Sequence, residues 1–399
     1  MTAAALAGLG LMHFALDGLT SVLVPLQPTL ASRTGASPSV LGLVVAVALA
    51  AASLLQPLTA RLVHRHGERS VAAAGAVLAA AGYGAVPAAE NVLQAVLAVV
   101  IGGVGSSLFH PSAGALMARA ATSGRESLPL AAFSAVGTAG SALVPFGVVV
   151  SVDSLGWAAA VPVAATLVAL TVALRNEVFR PTPRPTKTRA TAGATGSRQA
   201  RLAVAAGAMV ALAGTTVGAS AAVLVASDLG ASHPAVPWLL ASYSASAAAG
   251  GMGLAVLARR VGARAVLLVA VALGSVAAAT VPFLPLVATF VAMSVAGVGL
   301  SGSLPLLVSH ARLPGEVSAA GAVGRVLGLA AGIGGSGYAA VGFLQGAVGY
   351  GPALTATVAL SGTAALVIAR FLCRSVDPSD CDDPVPTATS NCGCGTCTC

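Results

Sequence analysis

An all-α polytopic membrane protein, with twelve transmembrane helices in two pseudo-symmetric six-helix halves, is the fold class that three observations predict. Only 8% of the 399 residues are charged and 57% are hydrophobic, with a mean hydropathy of +0.92. A soluble domain carries about 25% charged residues. Apolar runs long enough for a bilayer core, about 20 residues each, recur along the whole length. The chain also repeats itself: ASRTGAS at 31–37 returns as ASDLGAS at 226–232.

Spans are predicted near 3–28, 38–60, 70–89, 92–117, 127–150, 155–174, 202–225, 234–257, 264–284, 286–309, 317–344 and 351–371. The first is read as a membrane helix and not a cleaved signal. It lacks a basic start, and His13 and Asp17 interrupt its apolar run. Runs such as AVLAVVIGGVGSSLF at 95–109 do not alternate, which excludes a β-barrel. Abundant Gly and Ala suit close helix packing in lipid.

Four units follow: a six-helix half over 1–174, a basic linker over 175–201, a second six-helix half over 202–372 and a Cys-rich tail over 373–399. The linker reads as a solvated segment near anionic head groups, with seven basic residues against the single acid Glu177. On this span map Arg33 is the only one of 20 basic residues on the far side. The positive-inside rule then puts both termini in the cytoplasm and the chain in the cell membrane as a multi-pass protein. Topology accounts for the net charge of +8, so no nucleic-acid partner is expected.

The repeat extends well beyond the opening heptad. A shift of 195 carries HRHGER at 64–69 onto RRVGAR at 259–264, so Gly67 meets Gly262 and Arg69 meets Arg264. A shift of 194 carries Gly103, Gly105 and Pro111 onto Gly297, Gly299 and Pro305. Gly137, Gly140 and Ser141 land on Gly332, Gly335 and Ser336.

Two six-helix halves related by an axis along the membrane normal resemble the major facilitator superfamily. The resemblance implies secondary active transport by alternating access, with a small molecule bound near the midplane between halves that rock about it. It also implies a monomer. The loop ARLVHRHGER at 60–69 is similar to the superfamily's conformational latch, Gly-x-x-x-Asp-Arg-x-Gly-Arg-Arg/Lys. Arg65, Gly67 and Arg69 match, while His64 replaces the Asp. LMHFALDGLTSVLVPLQP, SLLQPL and GVGSSLFHPSAGALMARAATSGR resemble helices 1, 2 and 4 of the fosmidomycin-resistance branch. That resemblance implies antiport and efflux of a toxic compound. Ser112 stands where the branch carries an acid after His-Pro. Small residues fill FSAVGTAGSALVPF, so the pocket is less polar than the branch's.

Asp17 is the one acid deep within a predicted span. A charged Asp there costs on the order of 3 kcal/mol, so it must face a cavity or be paired. His13 lies four residues earlier on the same helical face, and His110 lies in span 4. These three form either a proton-coupling or substrate site or a polar cluster that locks helix 1 to helix 4. Gln27, Gln56, Tyr243 and Tyr338 are further cavity candidates, with packing or helix kinking as the alternative. No phosphate loop, carboxylate pair or nucleophile constellation is present. The chain therefore reads as a transporter driven by an ion gradient, with protons as the coupling ion, and not as an enzyme.

All six cysteines lie in the last 27 residues. In the cytoplasm they stay reduced. Cys392, Cys394, Cys397 and Cys399 are close enough to wrap a soft ion such as Zn(II), Cu(I) or As(III). The alternative is a tail with no ligand. This gives a second functional reading, export of a soft metal or metalloid species. The spans offer no Cys and few Met, which argues against bare Cu(I) crossing the core.

Overall fold

The computed structural model describes residues 2–120, 127–178, 198–229, 235–310 and 319–372. Among them every regular element is helical, and the helices form twelve columns in chain order.

The first column is α1 (Ala3–Ser21) followed by α2 (Gln27–Thr34). Thr2 caps α1 by accepting from Ala5 N at 3.1 Å, which satisfies one of the open donors of the first turn. The predicted span 3–28 is broken at 22–26. Pro25 lacks the amide that would continue the ladder, and its ring crowds the preceding turn. Gly35 closes α2 in the left-handed region at φ 66°, and Ser37 caps the next helix. The repeated heptad is therefore a stop–start signal in its first copy. Residues 230–232 of its echo lie outside the described residues.

The second column is α3 (Pro38–Ser53) and α4 (Gln56–His66), broken before Pro57 and running past the predicted end at 60. Then come α5 (Glu68–Gly84), α6 (Val92–Ala120), α7 (Ser127–Leu155) and α8 (Val161–Ala173), the last entered through a 3₁₀ turn at Gly156–Ala160. Pro111 sits inside α6 without ending it.

The second half repeats the order: α9 (Arg198–Leu229), α10 (Ala235–Val261), α11 (Ala263–Thr280), α12 (Leu286–Gly299), α13 (Leu304–His310), α14 (Ala319–Val348) and α15 (Tyr350–Leu372). The predicted span 286–309 is interrupted by a 3₁₀ turn at Ser301–Ser303, next to Pro305. Helix α9 begins within the segment read as linker. Several helices exceed the predicted spans because a helix, once propagating, need not stop at the hydrocarbon edge. Among the described residues nine segments are long and apolar enough to cross a membrane, and Pro38–Ser53 and Ala158–Ala173 are shorter apolar helices.

The repeat is visible in the backbone. Gly67 separates α4 from α5 at φ 80°, ψ 150°, and Gly262 separates α10 from α11 at φ 91°, ψ 134°. A side chain is strained in both conformations. A Cβ on Gly105 of α6 would overlap the backbone at Gly75 and Ala79 of α5. A Cβ on Gly299 of α12 would overlap Ala270 and Gly274 of α11, the same crossing in the other half.

Each half buries its own apolar cluster, and Ala219, Tyr338 and Val341 of the second half join the first half's core. The halves meet along α3 with α14 and along α7 with α10. At the first seam Gly42 faces Gly342. At the second, the Phe146 and Trp238 rings lie 4.7 Å apart.

His64 and Arg65 fall in the last turn of α4, Gly67 at the break and Arg69 in the first turn of α5. The four candidate thiol ligands, Cys392, Cys394, Cys397 and Cys399, lie outside the described residues.

Candidate substrate and coupling site

The 3.6-residue period of α1 places His13 and Asp17 on one face. His13 Nε2 lies 3.0 Å from Asp17 Oδ2, and His110 Nε2, from α6, lies 2.7 Å from Asp17 Oδ1. One carboxylate thus receives two imidazoles, one on each oxygen. The cluster is largely enclosed, with side-chain exposures of 7% for His13, 22% for Asp17 and 28% for His110.

The outer ring nitrogens decide how many protons the cluster needs. His13 Nδ1 lies 2.8 Å from the Phe133 carbonyl of α7. A carbonyl only accepts, so Nδ1 carries a proton there. Nε2 of a neutral His13 would then face the carboxylate as a bare lone pair. The 3.0 Å contact closes only when a further proton lies between Nε2 and Oδ2, on either group. His110 is different: its Nδ1 has both the Ser106 carbonyl at 2.9 Å and the Ser106 hydroxyl at 3.1 Å. A proton on Nδ1 serves the carbonyl, and a bare Nδ1 serves the hydroxyl. Each of the two contacts between an imidazole Nε2 and the carboxylate needs one proton between its atoms. Removing one proton sets a lone pair against a carboxylate oxygen, and the cluster must rearrange.

The walls allow little slack. The Phe133 ring stacks on His13 at 3.9 Å. A Cβ on Gly137 would overlap both the His13 ring and Asp17, and one on Gly140 would overlap the α1 backbone at Phe14. Glycine at these positions lets α7 close on α1 around the buried charges. Ser141 Oγ donates to the Asp17 carbonyl at 3.4 Å. The three side chains could present ligand atoms to a metal, since those atoms lie within 4.8 Å of one another. Tetrahedral ligands of zinc would stand about 3.3 Å apart, so the 2.7 Å contact has the spacing of a shared proton.

One helical turn along α1 lies a cavity of about 200 Å³ between the halves. Thr20, Tyr83 and Ser141 line it from the first half, and Thr215, Tyr243 and Ser244 from the second. Tyr243 shares a 2.7 Å hydrogen bond with Ser301. Of the four further candidates named from the sequence, Tyr243 lines this cavity. Gln27, at the start of α2, is buried near Tyr338, with its Oε1 unpartnered. Gln345 Nε2 donates to the Tyr338 hydroxyl at 3.2 Å and to Ser220 at 3.0 Å. Gln56 donates to Ala52 O at 3.2 Å and packs where a Cβ on Gly328 would fall, away from the cavity. Sequence reasoning missed Phe133, Ser106, Tyr83 and Gln345. Phe133 acts through a carbonyl that any residue would supply, so the sequence held no signal for it. The Ser-x-x-x-His spacing of Ser106 and His110 did hold one.

Two six-helix halves thus meet around a small cavity, with ionisable groups inside one of them. Residues 9–206 match the family model of the Major Facilitator Superfamily. The whole chain carries that superfamily's fold, and the two findings together support the superfamily for this protein. Among solved structures it is similar to a bacterial homologue of the human lysosomal transporter Spinster, captured inward-facing and occupied. That match has a TM-score of 0.70 and 16% identity, and covers 92% of this chain and 93% of the other. No curated protein matches the chain in sequence.

Proposed function

We propose that this transporter is a proton-coupled exporter of a small toxic organic compound, working by alternating access in the cell membrane as a monomer with both termini cytoplasmic. The observation that carries the reading is the His13–Asp17–His110 cluster, which needs a proton to close and sits one helical turn from the inter-half cavity. Proton loss loosens α1 from α6 and α7, and α1 and α7 both line the cavity. Asp17 is faced by His13 from its own helix, His110 from α6 and, at longer range, the Tyr83 phenol from α5. The resemblance of helices 1, 2 and 4 to the fosmidomycin-resistance branch supports the outward direction. The Gly67 break, flanked by Arg65 and Arg69, fits the superfamily's latch, with His64 in place of its acid.

A second reading, export of a soft metal or metalloid, rests on the cysteine run at 392–399 as a collector for Zn(II), Cu(I) or As(III). One growth assay separates the two in a host lacking its own exporters. Wild type, Asp17→Asn and a chain ending at Leu372 are compared against a panel of organic inhibitors, fosmidomycin, arsenite and copper. Protection against an organic compound that survives truncation and vanishes in Asp17→Asn is the expected result. Full protection by Asp17→Asn removes Asp17 as the coupling acid. Protection against arsenite or copper that needs the tail moves the assignment to the second reading.

A further inference from the structure

From the chemistry of the inter-half cavity we infer that the cargo is an uncharged small molecule. It combines an apolar body with a hydrogen-bonding group such as an amide or hydroxyl, and it is not the phosphonate that the family resemblance suggests. This deepens the transport reading given above. None of the residues lining the cavity is charged. Asp17, one helical turn away along α1, already has both oxygens engaged by His13 and His110. An ion entering this space would lose its water and find no countercharge, which is the most expensive form of burial.

Hydrogen-bonding capacity, in contrast, is plentiful. Thr20 donates to the Leu16 carbonyl at 2.9 Å and keeps its lone pairs. Tyr243 and Ser301 share a single bond between two hydroxyls, which leaves a proton and lone pairs over. Tyr83 is 1% exposed and packs beside Thr20 at the cavity wall, with its hydroxyl shielded from the cavity. A cargo amide or hydroxyl group would pair with the spare capacity of Thr20 and Tyr243. Leu23, Val45, Leu49 and Leu240 supply the apolar surface between these groups. The space equals about seven water volumes at roughly 30 Å³ each, which suits one substituted aromatic ring.

The test is isothermal titration calorimetry on the full chain in lipid nanodiscs, with empty nanodiscs subtracted for membrane partition. Four probes share one ring and differ in charge: phenylacetamide, phenylacetate, phenethylamine and benzylphosphonate. Phenylacetamide is expected to bind at least about ten-fold more tightly than each charged probe. Tyr243→Phe removes a hydroxyl on the cavity wall, and should weaken amide binding about five-fold in a protein that thermal unfolding shows to be folded. Equal binding across the series, tighter binding of any charged probe, or no binding of the amide overturns the inference. The assay needs no gradient, so it stands apart from the coupling reading. Amide binding without gradient-driven flux would sink coupling and keep the cargo class.

Discussion

The two halves share a scaffold and divide the chemistry. The Gly67 and Gly262 breaks and the Gly105 and Gly299 crossings hold the same geometry in each half. The ionisable groups of the cluster do not repeat. Shifts of 194 to 195 carry His13, Asp17 and His110 onto Ala208, Leu212 and Leu304. In reverse they carry Tyr243, Tyr338 and Gln345 back onto Ala48, Leu143 and Val150. Among the described residues the first half holds the buried ionisable cluster, and the second holds neutral hydroxyl and amide groups. Backbone positions that set helix approach tolerate few residues, so both copies kept them. Positions facing the interior are free to differ between the copies.

The largest expected effect comes from erasing that difference. The triple substitution His13→Ala, Asp17→Leu, His110→Leu gives the first half the residues the second half carries. Gradient-driven flux of the cargo into proteoliposomes should fall to the level of empty vesicles. Stability should hold, because replacing a buried ionic cluster with apolar groups is often neutral or stabilising by about 1–4 kcal/mol. The double substitution His13→Ala, His110→Leu should be worse folded than the triple. It strands the Asp17 carboxylate, a loss of about 3–5 kcal/mol. Thermal unfolding in detergent at one pH ranks the three proteins. A double variant as stable as the triple would show that the imidazoles do not compensate Asp17.

The shared scaffold predicts equal damage from equal insults. Gly105→Val and Gly299→Val each force a side chain into a neighbouring backbone, and overpacking of this kind costs about 1–3 kcal/mol. The two melting temperatures should drop by similar amounts. A drop confined to one half would mean that the repeat aligned by sequence is not matched in packing.

Much of this was legible in the sequence because lipid imposes long apolar helices and the repeat doubles every backbone signal. His13, Asp17 and His110 stood out because an ionisable residue in a span demands an explanation. Their mutual contact was only half legible: the i,i+4 spacing gives His13 with Asp17, but no local rule joins residues 17 and 110. The breaks in the first, second and tenth columns were underread. Pro25, Pro57 and Pro305 mark them, yet Pro111, with the same chemistry, sits inside an unbroken helix. Whether a proline ends a membrane helix depends on how its neighbours satisfy the freed carbonyl, which is a tertiary property. Gln345 was passed over because a lone Gln near a helix end carries no pattern.

The smallest effects test whether the hinge-like breaks and the second half's polar network are equally structural. Gly67→Ala and Gly262→Ala place a Cβ on backbone that only glycine adopts readily, so each should cost about 1–3 kcal/mol, and alike. Gln345→Leu removes the donor to Tyr338 and Ser220. In membrane proteins such a bond is worth about 0.6 kcal/mol on average, so melting should barely shift. If the network serves only packing, Gln345→Leu should leave the rate of cargo exchange without a gradient unchanged. The network also lies beside Gln27, where the broken first column meets α9 and α14, the helices of Ser220 and Tyr338. A change in exchange rate with the melting point held would therefore assign it to the movement of the halves. The second half would then hold the hinge contact for a charge carried in the first.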